Sequence, residues 1–90
     1  MKDKFFTRND NVAFRTIEGT TFLASPYSKK IYPLNSVGSF IWSNLEKTAS
    51  FQNLLDDICN EYNVEEGIAE NDLCEFLEEL LKEKLIKPPS

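Results

Sequence analysis

The stretch Leu34–Trp42 is where apolar residues stop following the spacing of strands and begin to follow that of a helix. Within it and just beyond it, apolar residues recur at i, i+3, i+4 and i+8, which is the spacing of one helical face. These residues are Val37, Phe40, Ile41 and Leu45. Gly38 and Trp42, the only Trp of the chain, widen that face. We therefore predict a central helix that is buried on more than half of its circumference and packs against several neighbours.

Three short strand patterns precede this stretch. The predicted strands cover residues 11–17, 20–24 and 29–32. Glu18-Gly19 predicts a tight hairpin turn, because Gly readily adopts the positive φ that such a turn needs. Residues 25–28, which include Pro26, predict a second turn. The third strand should end at Pro33, which cannot donate a hydrogen bond to a ladder. Strands joined by such turns form an antiparallel sheet.

Three helical patterns follow the strands. The first predicted helix begins after a cap at Asn35 or Ser36 and runs to about residue 47. The second covers residues 51–62 after an N-cap at Ser50. The third runs from about residue 69 to residue 84. A polar connector over residues 63–67 separates the last two helices. Because strands come first and helices afterwards, we predict an α+β fold with the helices on one face of a three-stranded antiparallel sheet. Three helices beside a small sheet resemble a winged helix.

The length of the chain predicts one domain over residues 1–90. We expect residues 88–90 and residues 1–7 to be loose termini, unless Phe5 and Phe6 pin the N-terminal arm to the body. No apolar run approaches the roughly 20 residues that cross a bilayer, and the N-terminus lacks the apolar segment of a signal peptide. The expected location is the cytoplasm, with no membrane contact.

Charge is distributed unevenly along the chain. Residues 1–34 carry six basic and three acidic side chains, whereas residues 35–90 carry four basic and twelve acidic ones. The helical half is therefore a poor match to a polyanion, since nucleic-acid affinity depends mainly on Lys and Arg at phosphates. Most of these acids are expected to solvate helix faces.

The side chains of the sequence do not point to catalysis. The chain has no His, which removes the commonest general base and metal ligand. It also has no Gly-rich phosphate loop, no Cys-x-x-Cys and no Ser-centred nucleophile motif. Cys59 and Cys74 lack the spacing of metal ligands and are expected to be reduced thiols near the core. We therefore expect a protein that is not an enzyme and holds neither a metal nor a cofactor.

Two features bear on binding instead. The third predicted strand lies at a sheet edge, and its two Lys either protect that edge from self-association or flank a template where a guest peptide adds a strand. The third predicted helix has more apolar residues than a single core stripe needs. The stripe contains Leu73, Phe76, Leu77 and Leu80, and the additional band contains Cys74, Leu81 and Leu85. This band is either part of a wide core face or the wall of a groove.

Several segments occur together in an order known from one family. They are residues 8–12, the Leu-Asn to Ile-Trp segment of residues 34–42, residues 50–62, residues 71–80 and the Leu-Ile of residues 85–86. In this combination, residues 8–87 resemble the PqqD-like family, also called RiPP recognition elements after ribosomally made and post-translationally modified peptides. Two places depart from the pattern. Lys84 stands where the family often has Gly, and residues 46–48 replace a common Gly-containing turn.

The resemblance implies a winged-helix-like domain that binds the leader segment of a precursor peptide. The leader would add a strand antiparallel to the third strand, against the third helix, and the domain would present it to a modifying enzyme. That enzyme would be a radical SAM protein, a cyclodehydratase or a leader peptidase. Carried over by position, the docking edge would contain Lys29, Lys30, Ile31 and Tyr32, and the helix side Asp72, Cys74, Phe76, Glu78 and Leu81. The sequence leaves open which flank of the helix faces the cleft.

The sequence also bears on other classes of function. A winged-helix DNA-binding regulator predicts a basic recognition helix, whereas the third helix of this chain is strongly acidic. A structural subunit whose strand edges complete a larger complex is a third class. A homodimer is open too, because a free edge can pair with itself.

Overall fold

The computed structural model describes residues 4–87 of the chain. The described elements are β1 Phe5–Phe6, β2 Ala13–Ile17, β3 Thr20–Ala24, β4 Ile31–Leu34, α1 Ser36–Asn44, β5 Ala49–Ser50, α2 Phe51–Tyr62 and α3 Glu66–Lys82. They form an α+β fold in which a three-stranded antiparallel sheet is followed by three helices, as predicted.

The sheet has the strand order β2-β3-β4, with both pairs antiparallel. The hairpin between β2 and β3 turns at Glu18 and Gly19, whose φ values are 49° and 84°. Two positive φ values in a two-residue loop are typical of a type I′ turn, whose twist matches that of the flanking strands. The predicted tight turn is therefore confirmed. Its first position is occupied by Glu18, for which a positive φ is less favourable than for Gly.

Replacing Glu18 by Asn should raise the free energy of unfolding by about 0.5–1 kcal/mol, because Asn tolerates the left-handed backbone better than Glu. Urea denaturation of the two proteins measures the difference. Glu18→Ala is the matched control, since it removes the same charge but keeps a residue that disfavours positive φ. An equal gain in both variants would show that charge, not backbone conformation, limits this turn.

The N-terminal arm is not loose where the structure describes it. Phe5 and Phe6 form β1, which pairs with Ser50 and Ala49 of β5, and Phe6 is buried in the core. Backbone hydrogen bonds between residues 7–9 and 85–87 then join the two ends of the chain. Of the two expectations for residues 4–7, a loose arm and an arm pinned by Phe5 and Phe6, the structure has the pinned one, because burial of one aromatic ring holds a strand of only two residues. Residues 1–3 and 88–90 lie outside the described part of the chain.

β4 is displaced by two residues from its predicted position. It spans Ile31–Leu34 rather than residues 29–32, so Pro33 lies inside the strand instead of ending it. Pro is excluded from a strand only where its missing N–H is needed for the ladder. Among the strands of residues 4–87, β4 pairs with β3 alone, and a Pro is tolerated on such an edge when its nitrogen is directed outward. Lys29 and Lys30 therefore precede the strand rather than belong to it.

The helix boundaries also differ from the predicted ones. α1 ends at Asn44 rather than near residue 47, since Leu45 caps it and its N–H bonds to the carbonyls of Ile41 and Trp42. Leu45 is fully buried at 0 % exposure, and this burial turns the chain inward before β5. The predicted caps are confirmed: side-chain oxygens of Asn35 and Ser50 accept hydrogen bonds from N–H groups in the first turns of α1 and α2.

α3 begins and ends earlier than predicted. It starts at Glu66 rather than residue 69, so the end of the polar connector forms its first turn. A carboxylate is favourable there, near the positive end of the helix dipole. α3 ends at Lys82 rather than residue 84, and Lys84 adopts a φ of 59°. This left-handed conformation favours Gly, which is the residue that the PqqD-like family often has at this position.

The core is built around α1. Trp42 and Ile41 are 1 % and 3 % exposed, and α1 contacts β3, β4 and α2. Gly38 of the same helix lies against Phe76 of α3. The predicted central helix with several packing partners is therefore confirmed. Cys59 and Cys74 are free thiols that pack, half-buried, against this core. None of the helices in residues 4–87 is long and apolar enough to cross a membrane.

Candidate functional site

β4 exposes one edge of the three-stranded sheet. The Thr21 N–H donates to Ser39 Oγ, which in turn donates to the Leu34 carbonyl, so Thr21 directs its backbone groups toward β4. Backbone groups alternate in direction along an antiparallel strand. Thr21 lies opposite Leu34 and Leu23 opposite Tyr32, so Tyr32 and Leu34 face β3. The N–H of Ile31 and the carbonyls of Ile31 and Pro33 then point away from the sheet, where a further strand could pair.

α3 forms a wall beside this edge. A cavity of about 270 Å³ lies between β4 and the helix. Its lining residues are Tyr32, Pro33, Leu34, Asn35, Phe76, Glu79, Leu80, Glu83 and Leu85. The Tyr32 hydroxyl donates to the Glu83 carboxylate at the C-terminal end of α3. Because the start of β4 meets the end of α3, the helix runs antiparallel to the strand.

A larger cavity of about 570 Å³ continues the first one toward the start of α3. Its lining is mainly apolar and comes from all three helices. The lining residues are Asn35, Val37, Gly38, Ile41, Ile58, Tyr62, Val64, Ile68, Ala69, Asp72, Leu73, Glu75 and Phe76. Asn35 and Phe76 line both cavities. We refer to the two cavities together as the β4–α3 groove.

Gly38 sets the position of the Phe76 ring in this groove. A Cβ atom at residue 38 would lie 3.1 Å from Phe76 Cε1 and 3.3 Å from Leu34 Cβ. Both distances are shorter than ordinary carbon contacts. The absence of a side chain therefore allows α3 to approach the start of α1, so that Phe76 reaches the junction of the two cavities.

Gly38→Val should lower the free energy of unfolding by about 1–3 kcal/mol, because the added atoms overpack this contact. It should also move the Phe76 ring and narrow the groove. Gly67→Val is a matched control in another helix, since a Cβ there would meet only Glu65 Oε1 at 3.4 Å. Thermal denaturation and the NMR signals of the Phe76 ring measure both effects. If the two variants lost equal stability, the close approach at Gly38 would not be the cause.

The structure brings together only some of the residues that the resemblance suggested. Ile31 and Tyr32 lie on the β4 edge, and Asp72 and Phe76 line the groove. Lys29 and Lys30 are exposed at the end where β4 begins. On the helix side, Cys74, Glu78 and Leu81 line neither cavity. Cys74 and Leu81 pack against the core on the other flank of α3, and Glu78 is exposed.

Three carboxylates of the groove were missed by sequence reasoning. Glu75, Glu79 and Glu83 follow Asp72 at i+3, i+7 and i+11, and Phe76 follows it at i+4, so all five share one face of α3 at about 100° per residue. The spacing alone could have grouped these residues. It could not decide between this flank and the one with Cys74, because that choice depends on the angle at which α3 packs on the sheet.

The groove is suited to binding an extended peptide. It combines outward-facing backbone groups on β4 with apolar and acidic side chains on α3. Main-chain hydrogen bonds at such an edge give affinity, and side-chain pockets give selectivity. Residues 4–87 contain no cluster of three or more His, Cys, Asp or Glu side chains that could hold a metal ion.

Comparisons with known proteins are consistent with this geometry. A family model described as Coenzyme PQQ synthesis protein D (PqqD) matches residues 20–86. TbiB1, solved in complex with the TbiA(beta) leader peptide, is 32 % identical over 90 % of this chain and 94 % of that chain, with a TM-score of 0.83. No significant match was found among curated proteins.

Two more distant structures share the fold. A lasso peptide synthetase B1, complexed with a leader peptide, is 20 % identical over 92 % of this chain and 98 % of that chain, with a TM-score of 0.80. The PqqD truncation of Methylobacterium extorquens PqqCD, described as a stand-alone RiPP recognition element, is 14 % identical over 93 % of this chain and 89 % of that chain. Its TM-score is 0.76.

Proposed function

Because the chain belongs to the PqqD family, we propose that it binds the leader segment of a ribosomally made precursor peptide and presents that precursor to a modifying enzyme. The observation that carries the proposal is the unpaired β4 edge beside the groove of α3. The similarity to TbiB1, which was solved in complex with a leader peptide, supports leader binding.

The leader adds a fourth strand to the sheet, antiparallel to β4. Its backbone bonds to the outward-facing groups of Ile31 and Pro33, and its side chains on one face enter the β4–α3 groove. A peptide that orders only on binding loses conformational entropy, so an affinity on the order of micromolar is expected for a site of this size. The binding residues on the protein are Ile31, Tyr32, Asp72, Phe76, Glu79 and Glu83.

The protein itself does no chemistry on the precursor in this proposal. Its role is to hold the leader while a separate enzyme acts on the remainder of the peptide. A radical SAM protein, a cyclodehydratase or a leader peptidase would be such an enzyme. We propose that this takes place in the cytoplasm, where ribosomes make the precursor.

A calorimetric titration tests the proposal. The probes are the TbiA(beta) leader peptide and synthetic leader peptides encoded by short open reading frames next to the gene of this protein. Saturable binding of one peptide per protein, with micromolar affinity, is the expected result. Failure of every adjacent candidate to bind would contradict the proposal.

A DNA duplex serves as the negative control in this titration. α3, which would be the recognition helix of a winged-helix regulator, contains six acidic residues and one basic residue. These are Glu66, Glu70, Asp72, Glu75, Glu78 and Glu79 against Lys82. Since DNA affinity depends on cations at phosphates, no binding of the duplex is expected. No structural observation favours the regulator.

A further inference from the structure

One end of the β4–α3 groove is basic. Lys29 and Lys30 are exposed immediately before β4. Glu83 is at the same end, where its carboxylate accepts the hydrogen bond of Tyr32. Two ammonium groups therefore stand against one carboxylate where the start of β4 meets the end of α3.

The other end of the groove is acidic. Asp72 and Glu75 line the larger cavity at this end, whereas Glu79 lines the smaller cavity and lies along α3 between Glu75 and Glu83. None of these three carboxylates forms an ion pair within residues 4–87. Lys29 and Lys30 likewise have no acidic partner in the described part of the chain. The charges at both ends are thus available to a bound peptide.

The arrangement of β4 and α3 gives these charges a direction. α3 runs antiparallel to β4, so a guest strand that is antiparallel to β4 runs parallel to α3. Its N-terminal side then lies near Asp72 and Glu75, and its C-terminal side leaves the groove near Lys29 and Lys30. From residue 72 to residue 83 the helix rises about 16 Å, which is the length of about five residues in a strand.

We propose that the groove selects leader peptides that carry basic residues on the N-terminal side of a docking strand of about five residues and acidic residues on its C-terminal side. This inference rests on the proposed function and specifies the substrate of the same site. Strand pairing alone accepts a guest in either direction. A groove with opposite charges at its two ends penalises the reversed guest, which would bring like charges together.

Two synthetic peptides test this selection. Both contain the same apolar strand-forming centre of five residues, flanked by Lys-Lys before and Glu-Glu after it in one peptide and by the reverse order in the other. The first peptide should bind about tenfold more tightly at low ionic strength, and the difference should shrink in high salt, since these charges are exposed. A spin label at the peptide N-terminus should broaden the amide signals around Asp72 rather than those around Lys30.

Charge reversal on the protein completes the test. Lys29→Glu combined with Lys30→Glu should abolish or invert the preference. Arg15→Glu combined with Lys47→Glu changes the net charge equally, but Arg15 is on β2, the edge strand opposite β4, and Lys47 follows α1, so the preference should persist. Equal affinity of the two peptides for the unmodified protein would overturn this inference and leave strand addition intact. If neither peptide perturbed β4, the proposed function itself would lose support.

Discussion

Trp42→Ala is expected to lower the free energy of unfolding by about 3–5 kcal/mol, as large-to-small changes of a buried Trp do. The side chain is 1 % exposed and lies in the last turn of α1, the helix that contacts the sheet and α2. A small domain has a total stability of about 5–15 kcal/mol. The variant should therefore melt at a much lower temperature, or fail to fold. Chemical denaturation followed by circular dichroism measures the loss.

The loss of stability should also detach the N-terminal arm. The Arg8 guanidinium donates to the Trp42 carbonyl from Nε at 3.0 Å and Nη2 at 2.6 Å. It lies 4.8 Å from the Trp42 ring and 4.6 Å from the Phe14 ring, which is itself edge-on to the indole. Burial in this stack lowers the pKa of Arg8, with the nearby Glu46 carboxylate opposing the shift. Removing the indole takes away one of the two rings that form cation–π contacts with Arg8.

Trp42→Phe is the control for the size of the effect. It keeps most of the apolar volume and removes the indole Nε1, which has no hydrogen-bond partner in residues 4–87. Because a buried unpaired N–H is unfavourable, Trp42→Phe should lose far less stability than Trp42→Ala. An unchanged melting temperature in Trp42→Ala would show that α1 is not the centre of the core.

Ile31→Pro is expected to abolish leader binding while leaving the fold intact. The Ile31 N–H points away from β3, so a Pro at this position removes a donor that only a guest strand would use. The Ile31 side chain is 60 % exposed, and its loss removes little core packing. A calorimetric titration with the leader peptide measures binding, and thermal denaturation checks the fold.

Two matched variants separate the loss of the Ile31 N–H from the loss of its side chain and from the general effect of a Pro in an edge strand. Ile31→Ala shortens the same side chain but keeps the N–H, so most of the affinity should remain. Thr16→Pro removes an outward N–H from β2, the opposite edge of the sheet, and should leave binding unchanged. Wild-type affinity in Ile31→Pro would mean that the leader docks elsewhere, and loss of binding in Thr16→Pro would point to β2.

Local signals in the sequence identified most of the fold. The Glu18-Gly19 turn and the caps at Asn35 and Ser50 depend on residues within a few positions, and all three were found where predicted. The β1–β5 pair was missed because strands of two residues have no periodicity to detect. The third strand was wrongly predicted to end at Pro33, because a Pro is tolerated on an edge strand. Whether a strand lies at an edge is a tertiary property.

The candidate site was only partly predictable for the same reason. The edge strand β4 and the helix α3 could be identified as the two binding elements from the order of the predicted elements and from their residue composition. The flank of α3 that faces β4 follows from the packing angle, which the close approach of Gly38 and Phe76 determines. The family resemblance therefore named Asp72 and Phe76 together with Cys74, which lies on the other side of the helix.

Amide hydrogen exchange tests strand addition to β4 most directly. Among residues 4–87 of the free protein, the backbone N–H of Ile31 has no partner strand, so it should exchange rapidly. Binding of the leader peptide should slow its exchange strongly. The outward N–H groups of Phe14 and Thr16 on the β2 edge serve as internal references and should not change. Protection of Ile31 alone is the predicted result. Binding of the leader with no protection at Ile31, or with protection at Phe14 and Thr16 instead, would contradict it.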